Sequence, residues 1–408
     1  MLCPIVQLRR HSPLSFALLA AAIVSLAVFA SPAQAQTFTQ LYNFPGGSNG
    51  LYPDDFVVTP NGSIVGEANY GTCSCALLFD YTDGKETVLH RFAEPKFHQS
   101  EVPQGLLLSA NGDILYGTTA YGGSGANGCD PDLGCGIAFD YDLTTSKYKT
   151  LHQFQGGPKD GADPVGVQAL DSAGDLYGLT LGGGANGDGT FYEITAAGTE
   201  KILYSFGPAP AGTQPAYGPV SYGGNYYGVT IGGGANTCYN GGCGTVFKIT
   251  PAGKETVLYD FTGGSDGLNP YELVGDSQGN FYGLSKTQDN TVAAIFKITS
   301  AGDFSIAYNG SYAAQIGYII IGTDGSLYAS ASGGNDSSSC EPNGCGQILQ
   351  VTPTGGGNGT VKVLHQFDNS DGSLLNPFWD LVLQGGELYG TTNYGGSNND
   401  GVIYKLKP

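Results

Sequence analysis

The chain has 408 residues, a net charge of −19, 67 glycines and only 12% charged residues, against common shares of roughly 7% glycine and 25% charge. An acidic balance of this size excludes a nucleic-acid binder, which must neutralise phosphates, and equally an adherent of anionic lipid. So much glycine is compatible with disorder, but 26 Tyr and 19 Phe alternate with Val, Ile and Leu in short runs between turn signals, which is the pattern of strands.

In chain order, Arg9 and Arg10 precede a weakly polar to apolar run, Phe16 to Ala30, and then the small-residue stretch "SPAQAQ". That order reads as a secretory signal peptide over residues 1–35, with Gln36 as the expected new N-terminus. Residues 36–408 then carry fourteen basic and thirty-five acidic side chains, a net charge of −21 that suits solubility outside the cell. No other apolar run approaches the roughly 18 residues that span a membrane. The expected setting is secreted, extracellular or periplasmic, with no membrane span and no nucleic-acid partner.

Residues 37–44, "TFTQLYNF", read as a strand without a repeat of its own. Behind them a phrase recurs as "LYGTTAYGGSGAN" (115–127), "LYGLTLGGGANGD" (176–188), "YYGVTIGGGANTC" (226–238) and "LYGTTNYGGSNND" (388–400). Alignment on its second position gives Val65, Tyr116, Tyr177, Tyr227, Tyr282, Tyr328 and Tyr389, seven units at a propeller-like period of about fifty residues. The third unit shows the parts: "PVGVQALD", "DLYGLTLG", "TFYEIT" and "KILYSF" are four short strands, the number in one blade. The seventh unit stops after its third strand, "GVIYKLKP", while the N-terminal strand matches the fourth strands "ETVLYDF" and "VKVLHQF". The prediction is an all-β, seven-bladed β-propeller of four-stranded blades over residues 36–408. Its ring is closed by the N-terminal strand completing the last blade, which removes exposed sheet edges. The Tyr of each phrase is expected to pack between blades, with the following glycines letting the chain turn close to the next sheet.

Cys3 leaves with the signal segment. The other eight cysteines fall as local pairs, Cys73 with Cys75, Cys129 with Cys135, Cys238 with Cys243 and Cys340 with Cys345. An even count in short loops of an exported chain reads as disulfides. Zinc is the alternative, but these pairs sit in separate repeats without nearby histidines to complete a tetrahedron. The Cys73–Cys75 ring would be small and strained.

The repeat, close to "LYGTTxxGGxxxxGTVFKxT", resembles that of the GloVer-type tandem-repeat proteins of secreted bacterial chains. Residues 226–250, "YYGVTIGGGANTCYNGGCGTVFKIT", carry the likeness most fully, and it extends over nearly all of residues 36–408. Units one, five and six diverge: "IVGEANYG", "FYGLSKTQDN" and "LYASASGGND". The resemblance implies a repeat architecture and an envelope or extracellular setting, and brings no catalytic residues. Such proteins often end in an anchor segment, which is not expected here because the chain ends at Lys407 and Pro408.

Short turns join first to second strands and mostly third to fourth, so the long connections, which carry all eight cysteines, belong to one face around the channel mouth. Asp160, Asp266 and Asp371 each precede a glycine in the loops entering a blade. One Asp per loop falls short of the six to eight oxygens of a calcium site and reads as turn chemistry, so neither a metal nor another cofactor is expected. His90, His152 and His365 align with Tyr42, Tyr204 and Tyr259 and are repeat residues. His98 and Glu101, in "AEPKFHQSEVP", form a separate polar loop compatible with acid–base chemistry. Asp54, Asp55, Asp163, Glu272 and Asp380 lie beside the loop prolines and are weak catalytic candidates for a glycan-cleaving enzyme. Tyr52, Tyr271, Phe378 and Trp379 flank the same strand starts and suit stacking on sugars or peptide side chains. The favoured expectation is a repeat-built binding or scaffold protein whose partner is a carbohydrate or an exported protein. A polysaccharide hydrolase or lyase and a purely structural envelope component are the alternatives.

Overall fold

Alternating apolar and polar residues bounded by glycine turns fold into twenty-eight strands, with no α-helix among the described residues. The computed structural model describes residues 37–70, 75–92, 103–123, 129, 133–238, 241–289, 291–312, 315–333, 344–373 and 381–408. The strands form seven four-stranded antiparallel sheets. Blades 1 to 6 occupy residues 51–91, 103–153, 161–205, 212–260, 268–308 and 316–366, and blade 7 joins residues 381–407 to 37–43. First strands of successive blades meet around the ring, and that of blade 7 returns to blade 1. The expected seven-bladed β-propeller is therefore present. Its closure is the expected one: Thr37–Asn43 pairs antiparallel with Val402–Lys407, Thr37 opposite Lys407 and Asn43 opposite Val402. No helix among the described residues is long and apolar enough to cross a membrane. The segment 1–36, including the signal-peptide expectation, lies outside the described residues.

The repeated Tyr packs between blades as expected. Tyr177 of blade 3 stacks on Tyr226 of blade 4 at 4.7 Å, and Tyr227 of blade 4 on Phe281 of blade 5 at 4.3 Å. Buried clusters accordingly straddle neighbouring sheets, as where Tyr227, Val229 and Val246 meet Leu273, Phe281 and Phe296.

The glycine after that Tyr does something other than turn the chain. It lies within the second strand, opposite the aromatic residue of the third: Gly117 faces Phe139, Gly178 Tyr192, Gly228 Phe247, Gly283 Phe296 and Gly390 Tyr404. A Cβ on Gly228 would sit 2.5 Å from Phe247 Cζ, and one on Gly117 at the same distance from Phe139 Cζ. Blade 6 supplies a built-in control, because there Ala329 replaces the glycine and the facing residue is Leu349. The extra methyl and the smaller partner occur together.

A second glycine, immediately before the third strand, joins blade to blade. A Cβ on Gly136, Gly189, Gly244 or Gly401 would lie 2.6, 2.7, 2.5 or 2.5 Å from the Cδ of Pro164, Pro215, Pro270 or Pro53, which belong to the first strand of the following blade. These glycines also hold φ between +87° and +99°, where only glycine is comfortable. Proline has no amide to donate, so the residue before it makes the link. Asp163, Gln214, Asn269 and Tyr52 donate N–H to the carbonyls of Cys135, Asp188, Cys243 and Asp400 at 3.0, 2.9, 2.8 and 2.8 Å. The last of these crosses from blade 7 to blade 1.

Replacing Gly228 with Ala should overpack this sheet and lower stability by about 1–3 kcal/mol. Adding Phe247→Leu, which recreates the pair of blade 6, should recover at least half of that loss. A urea-unfolding double-mutant cycle measures the coupling, and strict additivity of the two changes would refute the facing-pair account.

Candidate functional site

Because the strands of a blade alternate in direction, the connections from second to third strand and from one blade to the next emerge at the same end. Two of the expected disulfides pin this end, Cys129–Cys135 and Cys238–Cys243, with Cα separations of 5.3 and 4.9 Å. Each pair also presses on the loop entering the next blade: a Cβ on Gly156 or Gly263 would lie 2.9 or 2.7 Å from the Sγ of Cys129 or Cys238. Cys345 is buried and disulfide-bonded. Cys73 and Cys340 lie outside the described residues, and Cys75 opens the third strand of blade 1.

Within the entry loops the repeated Asp folds its own turn. Asp160 accepts the amides of Gln155 and Gly161, Asp266 that of Thr262, and Asp371 that of Asp368. Each also meets the residue near the end of the preceding fourth strand. His152 Nε2 lies 3.2 Å from both Asp160 oxygens, Tyr259 donates to Asp266 at 3.0 Å, and His365 Nε2 lies 2.9 Å from Asp371. His90, His152 and His365 thus stand where their alignment with tyrosines placed them.

On its other side this position touches the next blade's fourth strand. Some junctions stack rings: His90 on Tyr148 at 4.0 Å, Tyr259 on Phe304 at 3.7 Å and His365 on Phe38 at 3.8 Å. Others use an acid: Tyr42 donates to Glu86, Tyr204 feels Glu255, and His152 and Asp160 stand beside Glu200. Burial, and then the neighbouring Asp160, push the Glu200 carboxyl from 4.5 up to about 7, with His152 opposing the shift.

At the channel, Tyr52 is partly exposed with its ring 4.9 Å from Tyr394 across the blade 7 to blade 1 junction. Tyr271 is only 5% exposed; its hydroxyl donates to the Ile316 carbonyl at 3.4 Å, and Lys286 Nζ lies 4.7 Å over its ring. Burial holds the Lys286 ammonium below its ordinary pKa. Beside it stands a residue that the sequence reading missed. Tyr217 is 39% exposed, with its ring 6.1 Å from that of Tyr271. It sits where the eleven-residue first strand of blade 4, "GTQPAYGPVSY", breaks register with its neighbour between Ala216 and Val220. The Gly218-Pro219 step inside that strand, where a proline interrupts pairing, was the available signal.

Asp163 and Glu272 stand on the first strands of blades 3 and 5, separated by blade 4. Burial raises the Asp163 carboxyl, while Glu272 is 6% exposed. Asp55 accepts the Leu106 amide and so ties blade 1 to blade 2. His98, Glu101, Phe378, Trp379 and Asp380 lie outside the described residues. A shallow cleft of about 280 Å³ opens between blades 3 and 4 beside Asp171, Tyr222 and Tyr226, at the short-turn end and away from these aromatics.

The repeat pattern described as Gloeobacter/Verrucomicrobia repeat matches residues 132–341, just over half of the chain. Among solved structures the chain is similar to a streptogramin B lyase, at 15% identity and a TM-score of 0.55, over 91% of this chain and 97% of that one. It is also similar to the oligogalacturonate lyase of Vibrio parahaemolyticus, at 11% identity and 0.54, over 92% and 94%. The β-propeller domain of the Trilobed protease from Pyrococcus furiosus matches at 9% identity and 0.51, over 88% and 94%. At these identities the likeness is one of fold. No curated protein matches the sequence.

Two outcomes are expected. Replacing Cys238 and Cys243 together with Ala should lower stability by about 2 kcal/mol, the loop-closure value for a ring this small, read as a shift in the urea midpoint. Glu200 binds a proton more tightly folded than unfolded, so its contribution is present below about pH 4.5 and lost as pH rises through about 7. In chelator-treated protein, Glu200→Gln should therefore reduce the fall in Tm between those pH values; an unchanged slope would refute the assignment.

Proposed function

The chain belongs to the Gloeobacter/Verrucomicrobia repeat family, and on that premise we propose that it is an exported binding protein that takes a carbohydrate at its central channel and loop-rich face. The observation that carries this reading is Tyr217, an exposed ring on an innermost strand beside Tyr271 and Lys286. A flat apolar face next to a cation and hydroxyls is the equipment for stacking on a sugar ring while bonding its rim. Tyr52, paired with Tyr394, offers a second ring at another junction, and Phe378 and Trp379 are the further candidates that the sequence supplies. Export rests on the signal-like residues 1–35 and on the disulfides, which persist in oxidising compartments.

One observation favours a second reading, a glycan-cleaving enzyme. Asp163 carries a carboxyl raised by burial, as a general acid requires, and two proteins of similar fold are named lyases. Propellers host many activities, so the fold does not choose between these readings. A structural envelope component and an exported protein partner are the outcomes left if neither glycan reading holds.

Incubating the chain from Gln36 onward, beside Tyr217→Ala and Trp379→Ala variants, with a panel of polysaccharides separates them. The binding reading predicts retention on at least one glycan, weakened roughly tenfold by Tyr217→Ala, about 1.4 kcal/mol, with no sugar released. Sugar release that stops in Asp163→Asn would establish the enzyme reading instead. Absence of both retention and release would refute the carbohydrate proposal.

A further inference from the structure

The outer rim of the ring repeats one construction with two variable parts. A His or Tyr near the end of a fourth strand meets a loop residue of its own connection and a residue at the start of the next blade's fourth strand. At the blade 4 to 5 junction these are Tyr259, Asp266 and Phe304. At blade 6 to 7 they are His365, Asp371 and Phe38. At blade 7 to 1, Tyr42 meets Glu86. Among the described residues, only the blade 2 to 3 junction combines an imidazole with both carboxylates: His152, Asp160 and Glu200, whose ligand atoms all lie within 4.8 Å of one another.

We propose that His152, Asp160 and Glu200 form a binding site for a divalent cation of the zinc class. The donor set is one imidazole and two carboxylates, which suits a borderline ion and leaves a fourth position for water. His152 Nε2 stands 3.2 Å from the Asp160 oxygens, the spacing of neighbouring ligand atoms around an ion with bonds of roughly 2.0–2.2 Å. The side chains are held in advance. Asp160 is fixed by the amides of Gln155 and Gly161, and the loop that carries it is backed at Gly156 by the Cys129–Cys135 disulfide.

Glu200 supplies an independent reason. Its Oε1 is sheltered from solvent and has no hydrogen-bond partner, which is costly for a carboxylate unless something positive completes it. Among the described residues, no Lys or Arg forms an ion pair with Glu200 or Asp160. A bound cation would satisfy that oxygen and relieve the repulsion between the two acids.

The chain offers a gentle variant, since Tyr already occupies the position of His152 in blades 3 and 4 as Tyr204 and Tyr259. Chelator-stripped protein from Gln36 onward, with disulfides intact and no affinity tag, would be titrated calorimetrically with Zn²⁺ and separately with Ca²⁺. Its His152→Tyr and Glu200→Gln variants would be treated alike, with near-ultraviolet circular dichroism confirming their fold. The proposal predicts one Zn²⁺ per chain, bound more tightly than Ca²⁺, and at least about tenfold weaker affinity in both variants, since even a supporting partner contributes that much. No stoichiometric Zn²⁺ binding, or an affinity unchanged in the folded variants, would overturn it.

Discussion

The fold depends on the contact between a glycine in one blade and a proline in the next. Without a Cβ, Gly244 lets the Pro270 ring lie where a side chain would otherwise stand, and the residue before that proline sends its amide back across the gap to Cys243. The same geometry recurs at Gly136, Gly189 and Gly401. Each link brings a polar backbone group of a first strand to a partner in the preceding sheet, as burial of that amide demands. Where blade 6 begins without a proline, the third strand of blade 5 begins "TVAAIF" without the glycine. At the blade 1 to 2 junction only one half is kept: Ala76 stands at the glycine position, its carbonyl accepting the Phe92 amide as Gly244 accepts that of Phe261, while blade 2 still begins at Pro103.

This accounts for the abundance of glycine without assigning it to ligand binding. In most units one glycine makes room for an aromatic of its own sheet, and at four junctions another makes room for the next sheet. A third, in the turn before the fourth strand, lies against the preceding blade's backbone: a Cβ on Gly302 would come 3.3 Å from the Leu258 carbonyl oxygen. What remains free to vary is the loop-rich end, braced by disulfides, and the rim position where His and Tyr interchange.

The blade number and the closing strand were legible because they follow from counting. Seven phrases, four apolar runs per unit and one orphan strand leave a single tidy arrangement. The role of the LYG glycine was not legible, because its partner lies about twenty residues away on another strand and only register brings Gly228 to Phe247. Tyr217 escaped attention because it is defined by a break in pairing, although the Gly218-Pro219 step beside it was visible. The trio at the rim was hidden for a related reason. His152, Asp160 and Glu200 come from a strand, a loop and the next blade, and aligning the repeats made each look ordinary in its own column.

The claim that these links close the ring can be tested at one amide. Residue-resolved hydrogen exchange would follow Tyr52, whose N–H reaches the Asp400 carbonyl between the last blade and the first. It should exchange as slowly as Asp163, Gln214 and Asn269, through global unfolding alone. Fast exchange at Tyr52 while the other three stay protected would mean that the ring opens at its seam, contradicting the account.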